Sequence, residues 1–167
     1  MKVMVLASLF ALGVVAEARA QSLTDEPFLN SIAGKWSGSG QLTDQDGNVT
    51  AVQENWTGEF TDEGSFVMSG RRQFGEEPQE FSWEFMFNAA TELVECEYWH
   101  TGMDEKMTFQ VTLSDKEVEL RTPFGEPGGE LLVSNRLSSS GIDGLVQLLN
   151  PDGAAIIEGP FTHLKED

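Results

Sequence analysis

Phe81-Ser82-Trp83-Glu84-Phe85-Met86-Phe87-Asn88 decides the fold class. Phe81, Trp83, Phe85 and Phe87 fall on one side of an extended chain, and Ser82, Glu84 and Asn88 on the other. A period of two belongs to a strand with one face in a core and one in water. The same period continues outward in both directions. Met107, Phe109, Val111 and Leu113 alternate with Thr108, Gln110 and Thr112, and Val118 and Leu120 with Glu117, Glu119 and Arg121. Upstream, Phe66, Met68, Gly70, Arg72 and Phe74 share one face.

Turn signals separate these runs. Asp44-Gln45-Asp46-Gly47 carries the Asp-Gly pair of a hairpin. Thr61 to Gly64, Gly102 to Glu105, Ser114 to Glu117 and Asn150 to Gly153 are polar turns of the same kind. The one helical pattern runs from Glu26 to Ile32, with Phe28, Leu29 and Ile32 as its apolar stripe. Short strands at this regular spacing predict an all-β protein, a barrel or a sandwich.

Composition sets the class. Of 167 residues, 10 are Lys or Arg and 28 are Asp or Glu, a formal charge of −18, while 40% are apolar. That apolar share sustains one folded core. The negative charge argues against nucleic acid, whose phosphates call for Lys and Arg, and against docking on anionic lipid.

The first twenty residues read separately. Lys2 precedes a charge-free run from Val3 to Ala16, and Ala18-Arg19-Ala20 is an A-x-A cleavage pattern. The run is shorter than the ~20 residues needed to span a bilayer. Residues 1–20 are therefore expected to be a signal peptide cleaved near Ala20, leaving residues 21–167 as one secreted or periplasmic domain without a membrane anchor. The single cysteine, Cys96, excludes an internal disulfide and is expected to be buried.

After the helix come Gly34-Lys35-Trp36-Ser37-Gly38-Ser39-Gly40, a G-x-W-x-G-x-G stretch at the start of the first strand. This resembles the entry to the calycin-like β-barrels, the group that holds the lipocalins and the nitrobindin-like proteins. The resemblance implies a single antiparallel up-and-down barrel of about 8–10 strands with a short N-terminal helix. Gly34 and Trp36 would then close one end, with Gly38 and Gly40 letting the strand coil. Lipocalins proper set a late arginine against this tryptophan; here Lys165 or Arg136 would have to serve. Nitrobindin-like proteins bind haem through a histidine near the C-terminus, and His163 stands in a broadly similar place. Read from the residues alone, His163 is a structural histidine on a late strand, and no cofactor is expected.

Chemistry is sparse. Two histidines and one cysteine give no metal-ligand pattern. Asp44-x-Asp46-Gly47 lacks the glutamate that completes a calcium loop, since Asn55 holds that position. Glu95 with Glu97 and Glu117 with Glu119 alternate with apolar residues, which puts them in water. No nucleophile elbow or phosphate loop occurs, so catalysis is not expected. Asn48 and Asn55 are formal glycosylation acceptors, meaningful only in a eukaryotic secretory route.

Arg72 stands out because it follows the aromatic face of its strand. An inward guanidinium either neutralises an interior carboxylate or awaits an anionic ligand. Tyr98 and His100 share a face with Val94 and Cys96. Arg72, Tyr98 and His100 are thus the polar groups expected inside an apolar cup, and an apolar carboxylate is the ligand that arginine suggests. The competing expectation is a structural barrel whose interior Phe66, Met68, Phe81, Phe85, Met107 and Phe109 fill; a haem-binding or enzymatic barrel is a third.

Overall fold

The computed structural model describes residues 23–125 and 127–166. The expected signal peptide lies outside the described residues. The chain begins with a 3-10 turn, Leu23–Asp25, and helix α1, Pro27–Ile32. Pro27 suits the first helical position, where its missing N–H costs nothing. Ten strands follow: β1 Gly34–Asp44, β2 Val49–Phe60, β3 Phe66–Phe74, β4 Glu77–Asn88, β5 Leu93–His100, β6 Met107–Leu113, β7 Glu117–Pro123, β8 Glu130–Leu137, β9 Ile142–Leu149 and β10 Ala155–Lys165. Each pairs antiparallel with its sequence neighbours, and β1 pairs with β10 to close the barrel. The all-β, up-and-down expectation is met, with ten strands and almost no helix.

Local chemistry holds the hairpins. At the first turn the Asp44 carboxylate accepts from the backbone N–H of Asp46 (3.0 Å) and Asn48 (2.9 Å) and from the Asn48 side chain (2.8 Å). Its oxygens are spent on the turn, so no calcium loop is built there. These bonds also hold the Asp44 carboxyl below its ordinary value, the Asn48 side chain contributing most. Asn150 does the same for the last hairpin, accepting from Asp152 (3.0 Å) and Ala154 (2.9 Å).

The alternation read from the sequence decides what points inward. Phe66, Phe85, Cys96 and Phe109 form one layer with no more than 1% exposure. Cys96 pairs across to both Phe85 and Phe109. Glu95 and Glu97 face outward, where Glu97 accepts from Lys106 at 2.6 Å and Glu95 from Asn88 at 3.0 Å. Such exposed pairs are worth little to stability.

One end of the barrel is shut. Phe28, Leu29 and Ile32 of α1 are buried among the core residues. Trp36 is 3% exposed, donates its indole N–H to the Ile32 carbonyl at 2.8 Å, and stacks on Trp56 with centroids 5.5 Å apart. Gly34, at φ +116°, turns the chain from helix into strand in a conformation that a side chain would strain. Lys165, opposite Trp36 on β10, lies 5.5 Å over its ring. Arg136, the other basic residue considered for this place, is exposed on β8. Gly38 and Gly40 have a more specific reason than strand coiling. A Cβ on Gly38 would strike the His163 ring, and one on Gly40 the Phe161 ring at 2.7 Å. The two glycines give β10 space to turn its rings inward.

Candidate ligand-binding site

Between α1 and the far end of the barrel lies a cavity of about 150 Å³. Phe28, Ile32, Trp56, Met68, Phe85 and Val133 form part of its apolar wall. Its polar groups are Glu54, Arg72, Tyr98, Asn135 and His163. Among the described residues this interior therefore holds both an apolar body and a polar corner, the usual make-up of a small-molecule site.

Four strands build the corner. β10 supplies His163, β2 Glu54, β3 Arg72 and β5 Tyr98. Glu54 pairs with Arg72 across β2 and β3, and with Gly38 of β1, which in turn faces His163 of β10. The register thus sets three functional groups side by side. His163 Nε2 lies 2.7 Å from Glu54 Oε1, Arg72 Nε donates to Glu54 Oε2 at 3.1 Å, and Arg72 Nη1 donates to the Tyr98 hydroxyl at 3.3 Å. The guanidinium also packs 4.5 Å from the Phe81 ring centre and 5.9 Å from that of Tyr98. Tyr98 itself lies against Trp83, with centroids 4.2 Å apart. A cation so placed over two rings is oriented as well as neutralised.

The charges respond to this packing. Burial pulls the Glu54 carboxyl upward, but the His163 hydrogen bond and the Arg72 charge outweigh it and hold the group below its ordinary value. Glu54 is thus a carboxylate at neutral pH. Burial raises the Tyr98 hydroxyl, with Arg72 pulling the other way, so Tyr98 stays protonated.

The three residues singled out by parity divide two to one. Arg72 and Tyr98 meet in the cavity. His100 does not line it; its Nδ1 lies 2.7 Å from the carbonyl of its own neighbour Thr101 at the end of β5. Its ring still lies 5.7 Å from that of Tyr98. Arg72 takes the first of its two expected roles, neutralising an interior carboxylate. Glu54, the carboxylate concerned, was not singled out in the sequence, although it stands in step with Val52 and Trp56 on β2.

His163 is 6% exposed, with Nε2 committed to Glu54 and Nδ1 enclosed without a partner. A haem does not fit these residues: His163 Nε2 is held by Glu54, its Nδ1 is enclosed by protein, and the cavity is far smaller than a macrocycle requires. Among the described residues no three His, Cys, Asp or Glu side chains are grouped to hold a metal ion, and no helix is long and apolar enough to cross a membrane.

No protein-family model matches the sequence, and no curated protein matches it. Solved structures do match in fold. An S-type phycobiliprotein lyase, CPES, from Guillardia theta is similar over 89% of this chain and 94% of its own, with a TM-score of 0.59 and 9% identity. A protein of unknown function of the DUF3598 family from Nostoc punctiforme is similar over 83% of this chain, with a TM-score of 0.56 and 16% identity; the chain spans about half of that protein, 49%. At these identities the likeness is one of fold, and the fold is a closed ten-stranded antiparallel barrel.

Proposed function

We propose that this protein binds a compact, mostly apolar small molecule inside its barrel, in a secreted or periplasmic setting. The observation that carries the reading is the cavity itself: about 150 Å³ lined by aromatic and aliphatic walls, with Glu54, Arg72, Tyr98 and His163 gathered on one side. Apolar cavities of that size take up small aromatic molecules such as benzene. Drug-sized ligands occupy several hundred cubic ångströms. A carboxylate with a short apolar body is within this limit; a long-chain acid would leave its tail outside. The lyase neighbour adds only that a small-molecule role is compatible with this architecture, since it is 9% identical.

The secreted setting rests on the Val3–Ala16 run and the Ala18-Arg19-Ala20 site. N-terminal sequencing of the exported protein should begin at Gln21 or within a few residues of it. Recovery of chains carrying Met1 from the exported fraction would remove this part of the reading.

The binding experiment is a titration with ethylbenzene followed by tryptophan fluorescence, since Trp56 and Trp83 line the cavity. Native mass spectrometry of protein purified from its own host runs beside it. Saturable quenching, or a co-purified small molecule, is expected. A protein that takes up no apolar probe and carries none from its host is the alternative, a structural barrel with a filled interior.

A further inference from the structure

We propose that the polar corner of the cavity selects a hydrogen-bond acceptor without charge: a compact apolar molecule bearing a ketone, ester, lactone or amide carbonyl, held by the Tyr98 hydroxyl and the unused edge of Arg72. This deepens the binding reading above and rests on it.

The inference comes from counting what each group has already spent. A guanidinium has five N–H donors. Arg72 uses Nε on Glu54 and one Nη1 hydrogen on Tyr98, and among the described residues no protein acceptor takes the others. The Tyr98 hydroxyl accepts from Arg72, which leaves its own hydrogen to give, and no protein acceptor takes that either. Glu54 is in the opposite position: Oε1 is engaged by His163 and Oε2 by Arg72. Both Glu54 oxygens thus already have a donor, while three Arg72 hydrogens and the Tyr98 hydrogen have no protein acceptor. Tyr98 is 7% exposed and the Arg72 side chain 18%, so bulk water meets these donors poorly. A half-buried donor left without an acceptor is costly, and a ligand oxygen removes that cost.

Charge sets the second condition. Arg72 and Glu54 already neutralise each other at 3.1 Å. A carboxylate would bring an unbalanced charge into the interior of a chain whose formal charge is −18. An ammonium group would set a second positive charge beside the Arg72 guanidinium and compete with it for Glu54. A carbonyl oxygen meets both conditions. Asn135, also in the wall, can give or accept, but it stands on β8, on the opposite side of the barrel from β3. The indole N–H of Trp56 and Nδ1 of His163 are also unpartnered, but both are enclosed by protein and closed to a ligand.

Four probes of similar size separate the possibilities: ethylbenzene, acetophenone, benzoate and benzylamine, titrated into the wild-type protein and into Tyr98→Phe and Arg72→Met. In the wild type, acetophenone should bind roughly tenfold or more tighter than ethylbenzene, the gain of one well-made hydrogen bond to a charge-backed donor. Benzoate and benzylamine should bind more weakly than acetophenone. In Tyr98→Phe, which keeps the ring against Trp83, the acetophenone preference should fall to a few-fold or less. Arg72→Met should reduce it too, provided circular dichroism shows the barrel intact. Equal binding of acetophenone and ethylbenzene in the wild type would overturn the carbonyl inference and leave the binding reading standing. Benzoate as the tightest ligand would overturn it in favour of an anion site. A wild type that binds none of the four, ethylbenzene included, would remove the binding reading and this inference together.

Discussion

Gly38 faces His163 across the β1–β10 pair, and the imidazole occupies the space where any other residue at position 38 would carry its Cβ. The pair joins the seam of the barrel to its polar interior, because the same imidazole lies 2.7 Å from Glu54. Gly38→Ala would push the ring off Glu54 or spread the two strands. Overpacking of this kind costs about 1–3 kcal/mol. Urea denaturation should show a stability loss of that size as a lowered midpoint, and an unchanged midpoint would show that the ring has room to move.

Trp36 sits between α1 and Trp56 with its indole N–H on Ile32. Truncation removes the stack, the hydrogen bond and the lid over the shut end. Trp36→Ala should cost roughly 3–5 kcal/mol, a large part of the stability of an ordinary domain. Trp36→Phe, which keeps a ring there, should cost less. Thermal melts of both variants test this, and a loss below about 1 kcal/mol for alanine would place Trp36 outside the core.

Glu54 predicts a pH dependence. Its carboxyl is held below the ordinary 4.5 in the fold. A carboxylate with a depressed folded value stabilises fully above the unfolded value and loses that contribution as pH falls through the folded one. Glu54→Gln leaves the Arg72 charge without its partner, at roughly 3 kcal/mol or more near neutral pH. The stability gap between wild type and Glu54→Gln should be widest at pH 6–7 and narrow below about pH 4.5. The surface carboxylates titrate in both proteins and cancel in the difference. A gap that stays constant down to pH 3 would show that the Glu54 charge contributes nothing.

Cys96 is fully enclosed between Phe85 and Phe109. Burial pushes its thiol well up, with the nearby Glu84 and Glu97 charges adding to the rise against a backbone hydrogen bond. The thiolate is the reactive form, so this cysteine should be inert. Iodoacetamide at pH 8 should leave the folded protein unlabelled and modify it once per chain in denaturant. Rapid labelling of the native protein would mean that the Cys96 layer opens readily.

Much of this barrel was legible because period-two alternation is strong wherever a strand has one wet face. Phe81 to Phe87 and Met107 to Leu113 carry it without interruption. β2 was obscure, because its inward face reads Val52, Glu54, Trp56, Gly58: a charge and a missing side chain break the apolar signal. Those two exceptions are the informative ones. Glu54 is the partner of Arg72, and Gly58 clears the space that the Phe66 ring enters. Parity placed Tyr98 and His100 on one face correctly, but it carries no information on where a strand leaves the barrel. His100 is the last residue of β5, and the turn that follows claims its imidazole. For His163 no local pattern points to the carboxylate opposite, which lies far away in the chain and is joined to it only by closure.

That closure has a consequence for how the barrel comes into being. Every other strand pair joins sequence neighbours through a short turn, so those hairpins can form as the chain lengthens. The β1–β10 pair joins the two ends of the described chain, and it contributes the longest loop to the contact order of the fold. Until β10 is present, β1 displays an unpaired edge, the surface on which chains of β proteins aggregate. The corner made by His163 and Glu54 straddles that same seam. Its assembly therefore waits for the last strand, and the cavity and the protected edge are completed in one event.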